Sequence, residues 1–237
     1  MTGRELQISF ERTINALHDI TLKPTSTDVE YWLNKGLEKF VKTRYSDTNV
    51  KDRSFEQNMK RITDLRNLVR SYTADVSDAL PNTYVAELPK DSWFIVNEFC
   101  TIEPTNPNDN CFPRDAEGNF IPQRSYLKQT THNELEQELY NKLSEYRFHR
   151  STGHPLRIYI DNTVQLYTDE NYKVNLYNAI YICKPPMIDI HTSPNEEYTG
   201  LHEQTHQEIV ELAVSAYLEN TANPRYQTHM NEVMTQE

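Results

Sequence analysis

The apolar residues of this 237-residue chain recur at helical spacing over roughly its first third and then change period, and that switch limits the folds open to it. Leu6, Phe10, Ile14 and Leu17 form one stripe, and Thr2 with Glu5 has the spacing of a capping box at its start. Pro24 closes the link that follows. Thr27 with Glu30 repeats the capping signal, and Val29, Trp32, Leu33, Gly36, Leu37, Phe40 and Val41 then line one face of a second helix that should end near Tyr45. After a polar turn from Asp47 to Arg53, the residues Phe55, Met59, Ile62, Leu65, Val69 and Tyr72 predict a third amphipathic helix with a charged outer face.

Beyond Pro81 the segment Asp91 to Glu103 is dense in aromatic and β-branched residues, which predicts a strand. Residues 104–119 concentrate Pro, Asn, Asp and Gly, the chemistry of a long exposed loop. Leu135, Leu139 and Leu143 predict a short helix within His132 to Ser144. Strands are expected at Leu156–Asp161, Thr163–Thr168 and Val174–Lys184, ended by Pro185 and Pro186. From Leu201 to about Glu219 the helical period returns, with Ile209, Val210, Ala213, Val214 and Tyr217 inward. The expected fold class is therefore α+β: a helical bundle of three N-terminal helices plus a C-terminal helix, with an inserted β-rich domain and an extended C-terminal arm. The expected boundaries are 1–80 for the N-terminal helices, 81–190 for the insertion, 191–219 for the returning helix and 220–237 for the arm. The arm is polar and lacks a hydrophobic period, so its own burial could not offset the entropy of ordering it, and a neighbouring subunit or another partner is expected to tie it down.

Composition narrows the functional classes. A net charge of -11 without a dense Lys/Arg cluster disfavours a surface that grips phosphates. The same charge suits a channel through which DNA slides without sticking, because like charges oppose counterion-release binding. Five glycines, about a third of ordinary usage, leave little material for a phosphate-cradling loop. Cys100, Cys111 and Cys183 are far apart in sequence and form no CxxC pair, which argues against a disulfide framework or a thiolate zinc site and fits a reducing cytoplasm. No basic and apolar leader opens the sequence, and its longest apolar runs are short, so neither secretion by a signal peptide nor membrane spanning is expected. Fifteen tyrosines fit either strands or subunit contacts.

One motif points to chemistry. His202-Glu203-Gln204-Thr205-His206 matches HExxH, in which two His on one helical face hold Zn²⁺ and the Glu acts as general base. Ile209 stands where the longer zinc-protease motif has Gly, and only Glu219, His229 and Glu232 follow as third-ligand candidates. His202 and His206 also continue the apolar stripe, where histidines at a core edge are usually satisfied by backbone or Tyr partners. The expectation is therefore no catalytic residue, no cofactor and no metal, with a zinc hydrolase using His202, Glu203 and His206 as the alternative. A third reading is a tail or host-derived binding module that grips a ligand with its β domain.

Three segments carry a family likeness: Tyr31 to Tyr45 (YWLNKGLEKFVKTRY), Tyr177 to Pro186 (YNAIYICKPP) and Leu201 to Val214 (LHEQTHQEIVELAV). With the order of elements they resemble the head-to-tail adaptors of tailed phages, particularly the first ring protein of crAss-like podoviruses. The resemblance implies that the histidine and glutamate of the third segment carry no metal. It also implies a non-enzymatic virion protein, assembled in the host cytoplasm, in a closed homo-oligomeric ring of twelve copies. That ring would sit on the portal protein, contact the next tail ring or tail component and let DNA pass through its lumen without specific binding during genome ejection. Within this picture Pro224, Arg225, Tyr226, His229 and Met230 are the expected anchor of the arm.

Overall fold

A computed structural model describes residues 1–17, 24–45, 59–107, 112–141, 143, 154–168, 171–221 and 231. Its helices are α1 (Gly3–Leu17), α2 (Ser26–Tyr45), α3 (Met59–Leu65), α4 (Leu135–Tyr140) and α5 (His206–Asn220), with 3-10 turns at Arg66–Leu68 and Glu203–Thr205. Its strands are β1 (Val69–Asp75), β2 (Ser77–Leu80), β3 (Thr83–Glu87), β4 (Ser92–Pro104), β5 (Gln123–Tyr126), β6 (Lys128–Gln129), β7 (Leu156–Ile160), β8 (Thr163–Tyr167) and β9 (Tyr172–Cys183). The chain divides into two compact units, residues 1–68 with 185–237, and residues 69–184.

In the first unit α1, α2 and α5 bury their apolar stripes together: Leu6, Phe10 and Ile14 from α1, Leu33, Leu37, Phe40 and Val41 from α2, and Ile209, Val210, Ala213 and Val214 from α5 are all buried. Tyr217 stands edge-on to Phe10 at 6.1 Å and to Trp32 at 6.0 Å between ring centroids. A Cβ at Gly36 would lie 2.8 Å from Ala213 Cβ, so the absence of a side chain there lets α2 and α5 approach closely. The start of α1 is the expected capping box: Glu5 N–H donates to Thr2 Oγ1 and Thr2 N–H to Glu5 Oε2. On α2 the box forms two residues earlier than Thr27 and Glu30 suggest. Asp28 N–H donates to Thr25 Oγ1 while the Thr25 N–H and hydroxyl donate to Asp28, and these bonds from Thr25 hold the Asp28 carboxyl below its usual range.

The helical bundle expected from the sequence is overturned. The described residues form five helices, of which α3 has seven residues and α4 six, beside two sheets of four and five strands that make residues 69–184 a mainly β-sheet domain. The third helix was over-extended by its periodicity. Val69 and Tyr72, assigned by spacing to its inward face, lie in β1 opposite Ile182 and Ala179 of β9, and Met59 is 77% exposed. A β-branched and an aromatic residue spaced three apart suit a strand as well as a helix, and the ladder to β9 decides between them. Likewise α4 covers only part of the expected helix, since Leu143 is 88% exposed rather than on a shared stripe.

In the second unit the sheets have the orders β1-β9-β4-β5 and β2-β3-β8-β7-β6. The strand expected at Asp91–Glu103 is β4, and those expected at Leu156, Thr163 and Val174 are β7, β8 and β9. Tight turns at Asn82 and Asp161 take positive φ (61° and 52°), a conformation that Asn and Asp tolerate. Ala74, Ala86, Cys100, Ile102, Val164, Leu166, Tyr172, Val174, Tyr177 and Ala179 form the core of this unit. Only Val76 separates β1 from β2 and only Leu127 separates β5 from β6, so each edge of one sheet continues as an edge of the other.

Candidate functional site

The HExxH segment does not adopt the geometry that its chemistry requires. His202 precedes the 3-10 turn in an extended conformation (φ -66°, ψ 142°), and its Nδ1 accepts from Gln204 N–H at 3.4 Å. Glu203 is exposed, and α5 begins only at His206. The two histidines are thus not one turn apart on a single α-helical face, which is how the motif converges two imidazoles on a metal.

His206 is 1% exposed, with its Nδ1 3.0 Å from the Met1 amino group and its ring edge-on to Tyr198. Burial and the adjacent ammonium push its proton affinity below the ordinary histidine value, so the ring is neutral at pH 7. With Nδ1 accepting from the ammonium, the ring proton sits on Nε2, which is buried. Among the described residues no group of three His, Cys, Asp or Glu is placed to hold a metal ion. Of the third-ligand candidates, Glu219 lies near the far end of α5, and His229 and Glu232 fall outside the described residues. The anchor residues Pro224, Arg225, Tyr226, His229 and Met230 also lie outside them.

Two polar clusters that sequence reasoning missed tie elements together. On α2, buried Arg44 donates from Nε to Asp64 Oδ2 of α3 at 3.1 Å and from its terminal nitrogen to Glu208 of α5, which Lys60 also meets at 3.3 Å. Burial raises the Asp64 carboxyl above its usual range despite the opposing pull of Arg44. The available signal was position: Arg44 continues the stripe through Leu37, Phe40 and Val41, and an arginine on a buried face needs an anionic partner.

In the second unit Glu98 of β4 is the hub. Arg157 donates to it from β7, Tyr159 OH donates at 3.0 Å and Tyr177 OH donates at 2.9 Å from β9, so one carboxylate joins both sheets. Burial and the neighbouring Glu98 charge push both tyrosine hydroxyls far above the usual range, which keeps them as hydrogen-bond donors. Burial likewise raises the Cys100 thiol to about 12, so it is no nucleophile. Both clusters hold elements in place, and each carboxylate in them meets a protein donor.

The outer faces carry side chains suited to contact. Tyr31, Leu80, Tyr126, Tyr140 and Met187 are exposed large hydrophobics. Lys35 Nζ lies 4.7 Å from the Trp32 ring centroid beside Tyr31. No helix among the described residues is long and apolar enough to cross a membrane. In comparison with known proteins, residues 1–227 match the family model described as phage tail ring protein 3/4, of crAss-like phages. A search of curated proteins finds no match.

Proposed function

The chain belongs to the phage tail ring protein 3/4 family, which makes it a structural component of the virion tail, and from that membership we propose a mechanical adaptor in the path between portal and tail. The family match over residues 1–227 is the observation that carries this reading. In the proposed assembly twelve copies close into a ring that contacts the portal protein on one side and the next tail component on the other. DNA passes through the lumen during genome ejection without specific binding. Closure requires a heterologous interface, with two different surfaces of each copy meeting around the ring. The net charge of -11 supports passage without adhesion, because an acidic wall releases no counterions on meeting phosphates. The Arg44 and Glu98 clusters support a load-bearing part, since each fixes several elements through one buried charge. Pro224, Arg225, Tyr226, His229 and Met230 are proposed to contact a neighbouring subunit or the portal.

The test is the mass of the purified protein, alone and mixed with portal protein, measured beside the zinc content of the same sample. A zinc-free ring or a portal-bound complex is the expected result. A monomer that ignores the portal and carries stoichiometric zinc would replace this reading with the hydrolase.

A further inference from the structure

In the second unit the four-stranded sheet has two unlike edges that lie at the same level. Strand register places Asp75 of β1 opposite Leu176 of β9, Leu176 opposite Thr101 of β4, and Thr101 opposite Arg124 of β5. Asp75 and Arg124 therefore end one row of the sheet, an acid at one edge and a base at the other, and both are exposed. The adjacent row runs Ala74, Tyr177, Cys100, Ser125 and is buried, which puts Asp75 and Arg124 together on the opposite, outward face. Arg124 lies over the Phe99 ring at 3.5 Å.

The edges also differ in how they are protected. Natural sheets blunt an edge with proline, a bulge or a very short strand. β2 has an irregular register and runs into Pro81, β6 has two residues, and β5 follows Pro122 with four. β1 has seven residues without proline, glycine or a register shift, and Arg70, Ser71, Thr73 and Asp75 on it are exposed. Strand direction completes the match. The four strands alternate, so β1 and β5 run oppositely, and copies placed side by side in one orientation bring β1 of one against β5 of the next antiparallel.

We propose that β1 pairs with β5 of a second copy of this chain, extending the sheet from subunit to subunit with Asp75 facing the next copy's Arg124. The proposal rests on the ring reading above, which supplies the second copy, and it identifies the two unlike surfaces that a heterologous contact needs. Main-chain hydrogen bonds carry the contact along the Gln123–Arg124 part of β5, whose far end is already met by His154 through Ser125 and Tyr126, and the charge pair on the outward face sets its register and direction. Thr73 and Tyr126 occupy the next outward row, where Tyr126 stacks on His154 of its own chain at 3.8 Å between ring centroids and remains exposed.

The experiment compares ring formation by wild-type protein, alone and with portal and tail partners, with that of Asp75→Arg, Arg124→Asp and the double swap. Asp75→Arg sets two cations against each other and should lower the ring fraction about tenfold or more, and the double swap should restore it. In assembled rings of an Asp75→Cys/Arg124→Cys variant lacking Cys111, oxidation should give a ladder of covalently linked copies, whereas in either single variant the new thiol faces a native Arg124 or Asp75 and the copies should stay unlinked. Wild-type rings with no ladder in the double cysteine variant would overturn the edge pairing and leave the ring reading standing. A wild-type protein that forms no ring under any of these conditions would remove both.

Discussion

At the scale of single residues, Glu98 shows how much one buried charge organises. Its carboxylate takes donors from Arg157, Tyr159 and Tyr177 on strands of both sheets, and the Arg157 side chain is only 11% exposed. A buried ion pair adds little net stability over a well-packed apolar pair, but removing one partner strands the other in a low dielectric. Glu98→Ala should therefore cost about 3–5 kcal/mol in urea denaturation at pH 7, and Glu98→Leu with Arg157→Met should recover only part of that loss, because the Tyr159 and Tyr177 hydroxyls still lack their acceptor. A double variant as unstable as the single one would mean that the cluster stabilises the unit through more than charge pairing. His206 teaches a complementary lesson. Its place in a metal-like pentapeptide was visible in the sequence, but its neutral state follows from burial beside an ammonium brought from the opposite end of the chain.

At the scale of elements, the stripes of α1, α2 and α5 were legible because helical burial repeats locally and leaves its period in the sequence. The end of α3 was not, because Val69 and Tyr72 satisfy a helical stripe and a strand equally well until β9 is present. The cap of α2 was misplaced for a similar reason: Thr25 with Asp28 and Thr27 with Glu30 have the same spacing, and only the path of the chain after Pro24 selects the first. Gly36 is the element-scale determinant that a pattern cannot price. It was placed on the buried face from its spacing, but only the contact with Ala213 shows that a methyl group has no room there. Gly36→Ala should lower the thermal unfolding midpoint, with a loss of about 1–3 kcal/mol from overpacking, despite alanine's better helix propensity. Pairing it with Ala213→Gly should restore only part of the loss, because Ala213 N and Ile209 O also lie 2.8 Å from the added Cβ.

At the scale of the whole molecule, function depends on surfaces. The proposed contact residues Pro224, Arg225, Tyr226, His229 and Met230 include the Tyr and Arg types that most often dominate binding energy. Replacing these five by Ser and Gly should weaken ring or portal association about tenfold or more and leave the circular dichroism spectrum and unfolding midpoint near wild type. Unchanged association in mass measurements would move the contact elsewhere on the subunit. The sequence by itself determined the stripes of α1, α2 and α5, the strands β4, β7, β8 and β9, the cap of α1 and the resemblance to phage ring proteins. All of these are written in neighbouring residues. The tertiary structure alone decided that two sheets of four and five strands stand where a helical bundle was expected, that His202 stands off the helix, and that Asp75 and Arg124 end one row. Each of these depends on strand register or packing between segments distant in sequence, and local spacing does not encode which distant segments meet.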